Sequence, residues 1–184
     1  MKRTIKDKVT GFQTTDGAGV HLVRVLGNTT TETYDPILML DSFDSTNPEE
    51  YTAGFPMHPH RGIETISLIV KGNMVHKDSL GNQDQITDGE FQWMTAGSGI
   101  LHEETLPASE KLLGLQLWLN MPAKDKMSSP EYHSIKKDEI QEIPIKGVVK
   151  DATTGQAITG VSVKIKGTNK GTSTDAEGAF TIQG

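Results

Sequence analysis

Cysteine is absent from the 184 residues. Disulfides and thiolate metal sites are therefore excluded, and any metal must be held by His, Asp, Glu or backbone oxygen. An excess of positive charge is also absent. The formal net charge is -6, whereas a broad nucleic-acid footprint needs clustered Lys and Arg. No apolar run approaches the roughly 20 residues of a membrane helix. The opening Met-Lys-Arg-Thr-Ile-Lys-Asp-Lys is charged with no apolar core behind it, so no signal peptide is expected. These absences describe a soluble cytoplasmic protein that binds neither nucleic acid nor membrane. Long helical periodicity, internal repeats and low-complexity tracts are missing as well.

What is present is β-branched residues in short alternating runs, punctuated by Gly, which predicts an all-β architecture. Strands are expected over residues 3–13, around Val20 to Val25, and over the apolar run Ile37-Leu38-Met39-Leu40. The polar residues 41–56 read as a long loop, of the kind that can cover a site. One strand is predicted from Met57 to Lys71, and a hairpin from Met74–Asp78 and Gln83–Thr87. Phe91, Trp93 and Thr95 supply one face of a further strand. Gly97-Ser98-Gly99 is a tight bend. Leu113, Leu115, Leu117 and Leu119 alternate strictly and read as a core face, with Trp118 opposite. Residues 121–144 are interrupted by Pro122, Pro130 and Pro144, with a helical turn near Lys136 to Ile140. The composition then changes to Gly, Thr, Lys and Ala, which places a module boundary at 144/145. Within the tail, Gly147–Lys150, Val161–Ile165 and Ala179–Ile182 read as strands.

The chemistry gathers in residues 54–104. His58 and His60 are two apart, as are His102 and Glu104. Alternate strand residues share a face, so each pair can aim both groups into one interior. Three imidazoles and a carboxylate converging there suit a divalent transition metal, with two octahedral positions left open. The bland alternative is four polar residues at a solvated strand end, which two such pairs on separate strands argue against. Glu64, in phase with His58 on the predicted strand, competes with Glu104 as a ligand or orients an imidazole from behind. Glu103 is out of phase and should point away. His21, His76 and His133 read as ordinary surface or core histidines. Ser98 between two glycines shows no relay that would make it a nucleophile.

The ligand pairs resemble those of cupins, whose first motif is His-x-His, three residues, then Glu, here His58-Pro-His60-x3-Glu64. The wording of Leu38-Met-Leu-Asp41-Ser-Phe43, Phe55-Pro-Met-His-Pro-His-Arg-Gly62 and Gln92-Trp-Met-Thr-Ala-Gly97-x-Gly-Ile-Leu-His102-x-Glu104 is similar to the pirin family. The resemblance covers roughly residues 3–144. It implies a cupin, a double-stranded β-helix or jelly-roll barrel, over residues 1–144. It also implies metal ligands His58, His60, His102 and Glu104 and, as the usual metal, Fe(II). The donor set alone leaves Mn, Ni and Zn open. The implied activity is a quercetin 2,3-dioxygenase-type oxidation, with a flavonol and O2 as substrates and Glu104 as the base that takes the flavonol proton. Other members of the family act as regulatory metal-binding partners of proteins. Hence a non-catalytic redox sensor that docks a protein partner is the alternative reading, and a homo-oligomer is compatible with either.

Pirins carry a second barrel after the first. Here its place is taken by Lys146-Gly-Val-Val-Lys-Asp-Ala-Thr-Thr-Gly155, Gly160-Val-Ser-Val-Lys-Ile-Lys-Gly-Thr168 and Thr174-Asp-Ala-Glu-Gly178-Ala-Phe180. That segment, 145–184, resembles about half of a carboxypeptidase regulatory-like β-sandwich, as found ahead of TonB-dependent transporters. The chain thus reads as a junction of two unrelated pieces. An inactive chimera that keeps its metal is a third reading.

Overall fold

The computed structural model of the chain describes residues 7–141 and 143–183. It divides into two compact units between Glu139 and Ile140.

The first unit is built from β1 (Phe12–Asp16), β2 (Val20–Leu26), a single helical turn α1 (Thr31–Tyr34), β3 (Ile37–Ser45), β4 (Phe55–His60), β5 (Ile63–Lys71), β6 (Asn73–Asp78), β7 (Gln83–Thr87), β8 (Glu90–Thr95), β9 (Ile100–Thr105), β10 (Leu112–Asn120) and β11 (Glu131–Ile135). Two antiparallel sheets result. The larger has the order β1-β2-β3-β10-β5-β8-β11 and the smaller β4-β9-β6-β7. This is the jelly-roll arrangement expected. Residues from both sheets share one apolar cluster: Val20, Leu22, Phe43, Ile69 and Leu112 from the larger, Phe55, Met74 and Ile86 from the smaller. Each fully buried Leu or Ile contributes about 1.5–3 kcal/mol, so this cluster holds the sheets together at one end. A second cluster, Met94, Ala96 and Ile100 with Ile63 and Tyr132 against it, closes the other.

Four strand expectations are corrected. The first strand begins only at Phe12; residues 7–11 are not strand, and 3–6 lie outside the described residues. Residues 41–56 are not one loop, because β3 runs on to Ser45 and a 3-10 turn occupies Pro48–Glu50. The run from Met57 to Lys71 is two strands in different sheets. Gly62 separates them at φ +65, a left-handed conformation that suits glycine and resets the side-chain phase. Its N–H donates to the Gly97 carbonyl at 2.8 Å, tying the end of β4 to the bend that begins β9. Gly97 itself has φ +50, and a Cβ there would lie 2.3 Å from the Ser128 carbonyl oxygen.

The fourth correction concerns which faces are inside. On β10 the buried residues are Leu112, Gly114 and Gln116; Leu113, Leu117 and Leu119 are half-buried and Leu115 is exposed. On β8 the buried residues are Gln92 and Met94, and Trp93 faces out. On these two strands the apolar alternation therefore faces outward, and a polar layer of Gln92 and Gln116 with Ser67 and Glu104 is buried within. That layer is tolerable because its members are paired. Among the described residues, the buried side-chain polar atom without a hydrogen-bond partner is Asn73 Oδ1, outside this layer.

In the second unit, β12 (Ile145–Val148) pairs with β15 (Ala179–Ile182), and β13 (Ser162–Lys164) with β14 (Gly171–Ser173). The strand β14 was not anticipated. Its three residues, Gly-Thr-Ser, carry no apolar alternation to reveal it.

Candidate metal centre

The site is assembled on the smaller sheet. Register places His58 of β4 opposite His102 of β9, and His102 in turn opposite Asp78 of β6; His76 lies opposite Glu104. Side chains directly opposite on one face have Cβ atoms about 4.5–5.5 Å apart, so these groups are brought together by strand pairing rather than by loops.

His58 Nδ1 lies 2.8 Å from the Pro56 carbonyl oxygen. A carbonyl can only accept, so this nitrogen carries the ring proton and Nε2 keeps its lone pair. His58 Nε2 is 3.0 Å from His60 Nε2 and 3.1 Å from His102 Nε2. The His60 ring stands edge-on to the Trp118 indole, centroids 4.7 Å apart. Burial, with the neighbouring His58, lowers the His60 pKa to about 4. Burial, reinforced by His58, His60 and His76, lowers that of His102 to about 2. At neutral pH these rings are uncharged, the form in which imidazole ligates a metal.

Glu104 is 3% exposed. Burial raises its pKa, opposed chiefly by the bond from Gln116. The Gln92 amide donates to Oε1 at 2.5 Å and the Gln116 amide to Oε2 at 2.8 Å. Behind them, Ser67 Oγ takes a second bond from each amide, at 3.4 and 3.2 Å. The Tyr132 hydroxyl donates to Gln92 Oε1 at 3.3 Å, which leaves the Gln92 nitrogen for the carboxylate.

The donor atoms of His58, His60 and His102 lie within 4.8 Å of one another. Glu104 falls in a second such group, with His102 and His76, rather than in the first. The two groups share His102. Three converging imidazole nitrogens and a nearby buried carboxylate are a donor set that fits a divalent transition ion. A cavity of about 380 Å³ opens onto His58, His60, Glu104 and Gln116, with Met39, Phe55 and Trp118 among its apolar lining.

Glu64 is not beside the histidines. It lies on β5 in the other sheet and accepts from Thr95 Oγ1 at 3.1 Å; the break at Gly62 removed it from their phase. Glu103 points outward to Lys77, 3.5 Å away. His133 is exposed beside Glu131, and His21 lies on β2, away from the centre. His76 is the core histidine of the three. It is 0% exposed, bonded to Asp78 and adjacent to His102. The signal was legible: His76-x-Asp78 repeats the spacing of His58-x-His60 and His102-x-Glu104. Gln92 and Gln116 were hidden because they lie opposite the apolar alternation of their strands.

A Pseudomonas aeruginosa protein with a provisional quercetin 2,3-dioxygenase name is 45% identical over 149 residues, which are 80% of this chain and 52% of that one. A quercetin 2,3-dioxygenase structure from Acinetobacter baumannii superposes with a TM-score of 0.62 at 29% identity, over 79% of this chain and 51% of the other. A bacterial pirin from Escherichia coli, solved with nickel(II), gives 0.52 at 27% identity, over 79% and 62%. The chain spans about half the length of the curated relatives it matches. Residues 145–184 match the CarboxypepD_reg-like domain. Residues 19–119, which carry every histidine and carboxylate of the centre, match the Pirin family model, and the chain belongs to the pirin family.

Proposed function

We propose that the first unit, taken as residues 1–144 with 145–184 as a separate module, is a metal-dependent oxidoreductase of the quercetin 2,3-dioxygenase type. The observation that carries this is the meeting of three imidazole Nε2 atoms, 3.0 and 3.1 Å from one another through His58, beside a buried carboxylate and an open cavity. The ligands would be His58, His60 and His102, with Glu104 as the fourth. Fe(II) is the ion proposed, on the family resemblance; the nickel(II) of the Escherichia coli pirin supports a divalent transition metal more generally. When bound, such an ion supplies a Lewis-acidic centre with open positions for a phenolate and O2.

The protein's part is positioning and proton transfer. Met39, Phe55 and Trp118 offer apolar walls to a flat aromatic ring. The Glu104 carboxylate borders the cavity, where it can serve as a general base. It can take the proton of a flavonol hydroxyl as that oxygen becomes an anion. Gln92 and Gln116 hold both its oxygens, so the carboxylate is aimed before substrate arrives. Burial around it keeps competing water away.

The test is O2 consumption with quercetin by iron-loaded protein. Turnover should exceed that of a His58→Ala/His60→Ala control. Equal rates would refute catalysis by this chain and leave a metal-holding protein of another use.

A further inference from the structure

We propose that His76 is a positioning residue for this centre: backed by Asp78, it holds His102 in the tautomer whose Nε2 is bare. The proposal rests on reading His102 as a ligand, and it concerns a residue that the ligand motif does not contain.

The argument starts at Asp78. Its Oδ1 receives the N–H groups of Leu80 and Asn82 at 2.9 and 3.1 Å, and its Oδ2 receives the Asn82 amide at 2.9 Å. With donors on both oxygens, this carboxyl group is held as an acceptor. His76 Nε2 sits 3.0 Å from the same Oδ2, so Nε2 must carry the proton. A neutral ring has only one, which leaves His76 Nδ1 with a lone pair. That atom faces His102 Nδ1 at 3.4 Å, toward the long end for a hydrogen bond. One of the two must donate, and it falls to His102. With its proton on Nδ1, His102 presents a bare Nε2 to the point where His58 Nε2 also arrives, 3.1 Å away.

With an ion on the Nε2 side, which takes up the lone pairs of both His58 and His102 there, the other tautomer of His102 fails twice. It would set two lone pairs against each other at the Nδ1 contact, between rings that are 0% and 1% exposed. It would also aim an N–H at the position of the ion. Tyr132 supports the arrangement by stacking on His76, with centroids 3.9 Å apart and planes 8° from parallel. The stack keeps Nδ1 in line with His102. Partners of this kind behind a ligating imidazole are typically worth about 10- to 100-fold in metal affinity.

The experiment reads the tautomers directly. In protein labelled with ¹⁵N-histidine and loaded with Zn(II), which is diamagnetic, long-range ¹H–¹⁵N spectra distinguish a protonated ring nitrogen from one that is not. We expect His76 protonated at Nε2 and bare at Nδ1, with His102 protonated at Nδ1. Zn(II) affinity is then measured by calorimetry on metal-free protein. His76→Leu should weaken Zn(II) binding by about 10- to 100-fold. His76→Asn, which can place an acceptor oxygen near the Nδ1 position, should recover most of that loss. A proton on His76 Nδ1 overturns the proposal, as does Zn(II) bound to His76 itself or an unweakened His76→Leu. If His76→Leu does not fold, the tautomers of the unaltered protein decide. Failure of the unaltered protein to take up Zn(II) would overturn the metal centre, and this proposal with it; wrong tautomers with normal uptake would overturn the proposal alone.

Discussion

Gln116→Leu would remove the amide that holds one oxygen of a buried carboxylate. The Gln116 nitrogen stands 2.8 Å from Glu104 Oε2, and both residues are nearly inaccessible to solvent, at 5% and 3% exposure. Water cannot easily replace the lost donor. A hydrogen bond to a charged group contributes about 1.5–3 kcal/mol, against about 0.5–1.5 for a neutral one. The substitution also strips Trp118 Nε1 of an acceptor 3.4 Å away and adds apolar side chain, so a single variant mixes three effects. A double-mutant cycle with Glu104→Gln separates them, because the Trp118 and apolar contributions are common to both backgrounds. The coupling that remains should be about 1–2 kcal/mol, the charged bond less the neutral one. Urea unfolding at pH 7 with chelator present would measure it, since a bound ion would re-pin Glu104. Intrinsic fluorescence is a clean reporter, as both tryptophans, Trp93 and Trp118, lie in the first unit. The coupling should shrink in acid, where Glu104 takes a proton. A coupling at pH 7 below about 0.5 kcal/mol, the usual scatter of additivity, would refute a charged Glu104 held by this amide.

Metal loading should raise the Tm, and chelation should lower it. An ion at a hundredfold excess over its Kd adds about 2.7 kcal/mol, and identical melts with and without metal would count against a formed site. Metal-free protein should lose stability as pH falls from the ordinary histidine value of 6.5. Through that range an unfolded chain binds protons that His60 refuses until about pH 4 and His102 until about pH 2. Glu104, whose pKa is raised, contributes with the opposite sign, so a melt series from pH 7 to 4 should show a net decline; a rise would mean the carboxylate outweighs the rings. His102→Ala should abolish tight metal binding while Glu103→Ala leaves it within a few-fold, because the Glu103 pairing with Lys77 is a surface one worth at most about 1 kcal/mol. Equal losses in calorimetry would overturn the strand phase. Ending the chain after Pro144 should leave the metal content per protein unchanged by elemental analysis, since every proposed ligand precedes that point.

Much of this centre is legible in the sequence, because its candidate ligands sit at period-two spacing beside glycine bends. His58 with His60, and His102 with Glu104, each needed only a local rule. What stayed hidden depended on pairings between distant strands. Nothing local shows that Gly62 moves the chain from one sheet to the other, since apolar alternation continues on both sides of it. That continuity made Glu64 look like a neighbour of His58. The leucines of β10 misled for a related reason. Apolar alternation ordinarily marks the core face, but here that face is spent on Gln116 and Gly114. Their reason for being inside, a carboxylate from β9, is visible only once the two sheets face each other. The pairing of His76 with Asp78, by contrast, lies within one strand, two residues apart.

The division of the centre between the two sheets also bears on divergence. The histidines and Glu104 all stand on β4, β6 and β9, whereas Gln92 and Gln116 come from β8 and β10. The means of keeping an ion and the means of tuning the base can therefore be inherited and lost separately. Exchanges at positions 92 and 116 would change how avidly the carboxylate takes a proton without disturbing the strand register that sets the imidazole spacing. On the proposed function, a passage from catalyst to carrier would need only two substitutions on the larger sheet, at positions that leave the imidazoles in place. Relatives with all the histidines and neither glutamine are where that passage should be sought.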